Sequence, residues 1–121
     1  MRVVVQRVSE ARVRIGDTIV GAIGRGLLLL VGLAAGDAEP DLQWMARKIV
    51  GLRIFPDAAG LMNAAVGDVG GGILAVPQFT LLGDCRKGKR PSFAAAMPPN
   101  RKYFNAASAD LMFRLLNAVS T

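Results

Sequence analysis

The residues in this chain whose types and spacing suit chemistry are Gln78, Phe79 and Thr80. They follow Pro77 and a run of apolar and β-branched residues at 73–76. They precede a loop carrying Arg86, Lys87, Lys89 and Arg90, and then Pro91, Ser92 and Phe93. A buried strand that delivers polar side chains to its own end, beside a cationic loop, is a place where a polyanion can meet reacting groups. Taken singly, Thr80 reads as a strand ladder residue and Gln78 as a solvent-facing one. The loop cations read equally as a solvated turn or as phosphate contacts.

What is missing narrows the chemistry further. The 121 residues contain no histidine and one cysteine, Cys85. Ser-His-Asp and Cys-His hydrolysis are therefore excluded, together with nearly every zinc site. The nine acidic residues are scattered, so no metal site is expected. Cys85 in a basic loop invites a nucleophilic reading, but it lacks a histidine base. An enzyme built from this chain would rely on backbone N–H groups, Gln and Thr side chains, or a group on the substrate.

Composition sets the class. At this length one domain is expected, spanning residues 1–121, and 52% apolar residues argue against disorder. Fifteen Lys and Arg against nine Asp and Glu give a net charge of +6. That favours anionic partners, nucleic acid first, over a generic soluble surface. The longest apolar runs, such as 27–33, fall far short of the ~20 residues a membrane span needs, so no membrane partner is expected. No secretory pattern opens the chain, and a lone cysteine fits a reducing compartment, so the expected location is cytoplasmic.

The elements that must position residues 77–80 follow from patterning. Residues 2–8, 11–15 and 18–23 read as strands, the last two joined by a Gly16-Asp17 hairpin turn. The continuous apolar run 27–33 reads as a strand buried on both faces, central to a meander. Asp37 is the expected cap of a helix with Pro40 in its first turn and Leu42, Met45, Ala46, Ile49 and Val50 as its apolar stripe. Trp44, beside that stripe, is expected in the core rather than stacked on a cofactor. Gly51 ends the helix, a short strand follows at 52–55, and residues 56–60 form a turn. Residues 61–69 are weakly patterned. Gly70, Gly71 and Gly72 lack a Gly-Lys-Ser/Thr ending, so they read as a bulge or a close backbone approach. A second helix is expected after Met97-Pro98-Pro99, capped by Asn100, with Phe104, Ala107, Leu111, Leu115 and Val119 in one stripe.

With those residues in view, the chain resembles the D-aminoacyl-tRNA deacylases, which hydrolyse D-amino acids and misattached glycine from tRNA. The resemblance rests on Gln6-Arg7-Val8, the Gly-rich strands, Arg53-Ile54-Phe55 and Gly60-Leu61-Met62-Asn63. Val76-Pro77-Gln78-Phe79-Thr80-Leu81 and Arg90-Pro91-Ser92-Phe93 complete it. The resemblance implies an α/β fold: a mixed, mostly antiparallel sheet, a partly open barrel, with two helices. It also implies a homodimer whose interface pocket receives the 3′ terminal adenosine of aminoacyl-tRNA. Gln78, Phe79 and Thr80 match the catalytic motif. Main-chain N–H groups and the Thr80 hydroxyl would surround the scissile carbonyl, with no cofactor. Arg7, Pro77, Arg86, Lys87, Lys89, Arg90, Ser92 and Phe93 are the expected substrate- and tRNA-binding set.

Two departures from the family pattern bear on activity. Pro77 stands where the family usually has serine, which removes a hydroxyl and a backbone donor. Altered specificity, as in a related branch that edits L-alanine, and lost activity are the two readings. The family's later Gly-Pro element, which rejects L-amino acids, has no match, because no Gly or Pro follows Pro99. The expectation is a C-terminally shortened relative. The alternative function is a relative that binds tRNA or RNA ends without efficient hydrolysis.

Overall fold

A computed structural model describes residues 1–78, 83, 86, 88–90 and 92 of the chain. The second helix expected after residue 97 lies outside them, as do Phe79, Thr80, Lys87 and Phe93. The described elements run β1 (Arg2–Val8), β2 (Ala11–Ile15), β3 (Thr18–Ile23), β4 (Gly26–Gly32), α1 (Glu39–Gly51), β5 (Phe55–Pro56), β6 (Met62–Ala64) and β7 (Gly72–Pro77).

The unbroken apolar run becomes the central strand. β4 lies between antiparallel β1 and parallel β7. Leu27, Leu29 and Val31 are buried, and Leu28 and Leu30 on the other face are half-buried. On the first face they meet Leu42, Ala46 and Ile49 of α1, with Leu33, Phe55, Val66 and Ile73 completing the core. Each large side chain buried there stabilises the fold by about 1.5–3 kcal/mol. Because side chains alternate along a strand, Val3, Val5, Ile73 and Ala75 share that face.

The expected meander is corrected. β2 and β3 pair with each other as a separate antiparallel hairpin with a register shift at Val13/Arg14, instead of joining β1 and β4 in one sheet. The shift adds local twist and carries the hairpin across the second face of the sheet, where Gly21 lies against Leu74.

Three local expectations also change. The helix cap is Ala38, not Asp37, and the Asp41 carboxylate accepts the Ala38 N–H at 2.8 Å. Asp37 instead closes the preceding turn. It accepts the Ala34 N–H at 2.6 Å and pairs with the Met1 ammonium at 2.9 Å. Trp44 is 59% exposed, because it falls off the Leu42–Ala46–Ile49 stripe. The expected strand at 52–55 is reduced to Phe55–Pro56, which pairs with Met62–Ala64 in the segment that carried little pattern.

The turn between those strands is organised by Asp57. Its carboxylate accepts the N–H groups of Ala59 and Leu61 at 2.9 and 3.0 Å. The Leu61 N–H, foremost, holds the Asp57 pKa below the ordinary carboxylate range; desolvation opposes it, and Ala59, the Asn63 side chain and Gly60 add to the lowering. A lowered folded-state pKa stabilises the turn above the unfolded value of about 3.9, and that stabilisation is lost as pH falls through the folded value. Amide protection across residues 57–61, taken relative to the intrinsic exchange rate at each pH, should therefore fall on acidification below about pH 4. Asp57→Asn should flatten that dependence.

The glycine run is a close backbone approach. A Cβ on Gly26 would overlap the Gly72 carbonyl oxygen, and one on Gly71 would meet Val66 and the Arg25 carbonyl. Gly70, at φ +65°, supplies the left-handed turn into β7. Gly26→Ala should cost at least about 3 kcal/mol in urea unfolding, because backbone cannot yield as a side chain can. Gly36→Ala, with nothing within 4 Å of the added carbon, should leave the midpoint near the parent's.

Candidate functional site

The site grows out of the last residues of β7. In the parallel ladder the Gly72 N–H donates to the Arg25 carbonyl at 2.9 Å and the Gln78 N–H donates to the Val31 carbonyl at 2.7 Å. Even-numbered β7 residues therefore direct their backbone groups toward β4, and odd-numbered ones direct theirs to the opposite edge. Pro77 is odd. The N–H it lacks would have pointed away from β4, so the proline removes no bond from this ladder. Its peptide bond is trans, as are all those described.

The same parity places the Gln78 side chain on the hairpin face, while its N–H is held by Val31. The main-chain donor of residue 78 is thus engaged in the ladder. Gln78 is half-buried. Next to it, Val13, Ile15, Val20 and Gly21 of the hairpin face Leu74, Ala75, Val76 and Pro77 across a groove of about 510 Å³. The volume suits a small organic group, and the walls are mostly apolar. Such a groove holds an aromatic base or an apolar side chain by exclusion of water, with polar contacts confined to its mouth.

Arg7 is elsewhere. It pairs with Leu27 at the opposite end of β4, and its Nη1 donates to the Ile54 carbonyl at 2.9 Å. Within one chain the structure does not bring Arg7 together with Gln78. Arg86, Lys89, Arg90 and Ser92 are exposed. Phe79, Thr80, Lys87 and Phe93 lie outside the described residues. Among the described residues, no group of three or more His, Cys, Asp or Glu side chains is gathered to hold a metal ion. No helix among them is long and apolar enough to cross a membrane.

Sequence reasoning missed the hairpin's share of the groove. Its signal was present: Ile15, Ile19 and Val20 are β-branched, and they remain exposed on the hairpin. It also missed Arg25, whose guanidinium lies 5.4 Å from the centre of the Phe55 ring.

Comparisons with known proteins show the family and the fold. Residues 4–117 match the family model described as D-Tyr-tRNA(Tyr) deacylase. A D-aminoacyl-tRNA deacylase of Desulfitobacterium hafniense is 63% identical over 99 residues, covering 82% of this chain and 66% of that protein. The chain thus spans just under two thirds of that relative's length. One of Chloroherpeton thalassium is 53% identical over 119 residues, covering 98% of this chain and 78% of the relative. Among solved structures, a c-Myc DNA unwinding element binding protein superposes with a TM-score of 0.79 at 37% identity. The superposition covers 98% of this chain and 76% of the other.

If Pro77 is off the ladder, restoring a serine there should be cheap. Pro77→Ser should lower stability by no more than about 1 kcal/mol, the entropy regained by the unfolded chain. Leu74→Ala, under the same groove, should cost about 2–5 kcal/mol. A larger loss for Pro77→Ser in chemical denaturation would overturn this pairing register of β7 on β4.

Proposed function

This chain belongs to the D-Tyr-tRNA(Tyr) deacylase family, and on that premise we propose that it hydrolyses the ester joining a D-amino acid, or glycine, to the 3′ terminal adenosine of tRNA. The observation that carries the reading is the groove along Leu74–Pro77, which ends one residue before the half-buried Gln78. Its apolar walls suit the adenine or the aminoacyl side chain, and the polar chemistry is confined to residues 78–80.

The reaction asks little of titrating groups. An aminoacyl ester is already activated, so water assisted by the neighbouring ribose hydroxyl attacks the carbonyl carbon. The C–O bond to ribose then breaks, and the ribose oxygen takes up a proton as the amino acid leaves. What the protein supplies is position and donors for the oxyanion. The Gln78 N–H is held by Val31, so those donors come from the Gln78 side chain, the main chain at Phe79 and Thr80, and the Thr80 hydroxyl. Arg86, Lys87, Lys89 and Arg90 meet tRNA phosphates, and Ser92 and Phe93 complete the loop that carries them. The mechanism calls for no cofactor. A homodimer in the cytoplasm, with Arg7 serving the neighbouring subunit's pocket, agrees with the separation of Arg7 from Gln78 within one chain.

A second reading is a nucleic-acid-binding module without hydrolysis. It draws on the net charge of +6 and on the likeness to a DNA unwinding element binding protein. Incubating the chain with D-aminoacyl-, glycyl- and L-alanyl-tRNA separates the two. Amino acid should be released above the spontaneous rate, and Thr80→Ala should slow release about a hundredfold. Gln78→Ala should slow it at least tenfold (~1.4 kcal/mol). Binding without release would establish the module instead.

A further inference from the structure

The hairpin that walls the groove has a second face. Val13, Ile15, Val20 and Gly21 line the groove, so alternation along β2 places Arg12 and Arg14 on the outer side, away from the sheet. Both are exposed. Across the ladder Arg12 meets Ala22 and Arg14 meets Ile19, so neither guanidinium has a carboxylate opposite it. Among the described residues the ion pair is Met1–Asp37, and neither Arg12 nor Arg14 has a hydrogen-bond or aromatic partner. Glu10 and Asp17, the acids nearest in sequence, lie beyond the two ends of β2.

Packing does not explain the pair. An exposed strand gains most from β-branched or aromatic side chains, and two arginines on one face repel each other. Successive same-face residues on a strand stand about 6.8 Å apart, at about 3.4 Å per residue. That is comparable with the step between neighbouring phosphates on a nucleic-acid strand. Each guanidinium presents a fork of donors that fits the oxygens of a phosphate. The outer side of α1 is different, because Glu39 and Asp41 share that helix with Arg47 and Lys48. On the hairpin the positive charge is unmixed along the strand.

We propose that the outer face of the β2–β3 hairpin holds two consecutive phosphodiester groups of the RNA substrate, one on Arg12 and one on Arg14. The inference rests on the reading that tRNA is the substrate. The hairpin then serves the RNA with both faces: its inner residues wall the groove, and its outer residues grip the backbone. Such contacts are indifferent to base identity and fix where the strand lies.

Uncharged tRNA has no ester, so its binding reads this face whether or not the chain hydrolyses anything. Binding is followed by fluorescence anisotropy between about 50 and 200 mM salt. Arg12→Gln combined with Arg14→Gln should weaken binding about tenfold at the low-salt end and reduce the salt slope by about two. Arg47→Gln combined with Lys48→Gln removes the same charge from α1 and should cost no more than about twofold. Should the hairpin variant lose its far-UV circular dichroism, Ala22→Glu decides. It keeps both arginines, sets a carboxylate opposite Arg12, and should weaken binding about tenfold. Equal losses from the hairpin and helix pairs would overturn the proposal, because net charge alone would account for them. So would parent-like affinity in the folded hairpin variants, which would leave the hydrolase reading intact. A fall in affinity that tracks a change of molecular mass in light scattering would also overturn it, making this face a contact between copies. A chain that binds tRNA through Arg12 and Arg14 yet releases no amino acid would refute the hydrolase reading and leave this face standing.

Discussion

Two backbones cannot approach as closely as Gly26 and Gly72 do if residue 26 carries a side chain, which would point into the gap. That contact opens the parallel pairing of β4 with β7, and every later position on β7 follows from it. The Gly72 N–H meets the Arg25 carbonyl, and three pairs of residues later the Gln78 N–H meets the Val31 carbonyl. A slip of one residue would exchange the faces of Leu74 and Ala75 and turn Gln78 away from the hairpin. The register is held from both sides, by Ile73 in the helix-facing core and by Leu74 beneath Gly21.

This arrangement divides the chemistry between side chains and main chain. The ladder claims the Gln78 N–H, and the proline at 77 leaves the ladder intact. Positive charge is distributed in the same spirit. The cations of residues 86–90 lie near the β7 end in sequence, and Arg7 and Arg25 lie at the other end of the central strand.

What could be read from the sequence was whatever depends on local pattern. Residues 27–33 announced a strand buried on both faces, and β4 is that strand, displaced by one residue. The stripe from Leu42 to Ile49 announced α1. The Gly-Gly-Gly run announced a bulge or a close approach without deciding between them, and not that Gly26 was its partner, since their contact joins residues far apart in the chain. Failures came where a residue had two plausible partners. Asp37 has the chemistry of a helix cap, but the Met1 ammonium and the Ala34 N–H compete for it and win. Trp44 is bulky and apolar, yet helical geometry, not hydrophobicity, decides which way it faces. The groove beside Pro77 was invisible because its far wall comes from a hairpin whose path over the sheet depends on one irregularity at Val13/Arg14.

The outward position of Trp44 has an optical consequence. It is the chain's single tryptophan, and it sits with Met1, Asp37, Asp41 and Met45 at the seam between the first strand and the helix. Its emission therefore originates from a wet, charged neighbourhood, already near the wavelength of a denatured chain. Intrinsic fluorescence follows the docking of the first strand's start against the helix, and it is nearly blind to the interior packed around Leu27 and Ile49.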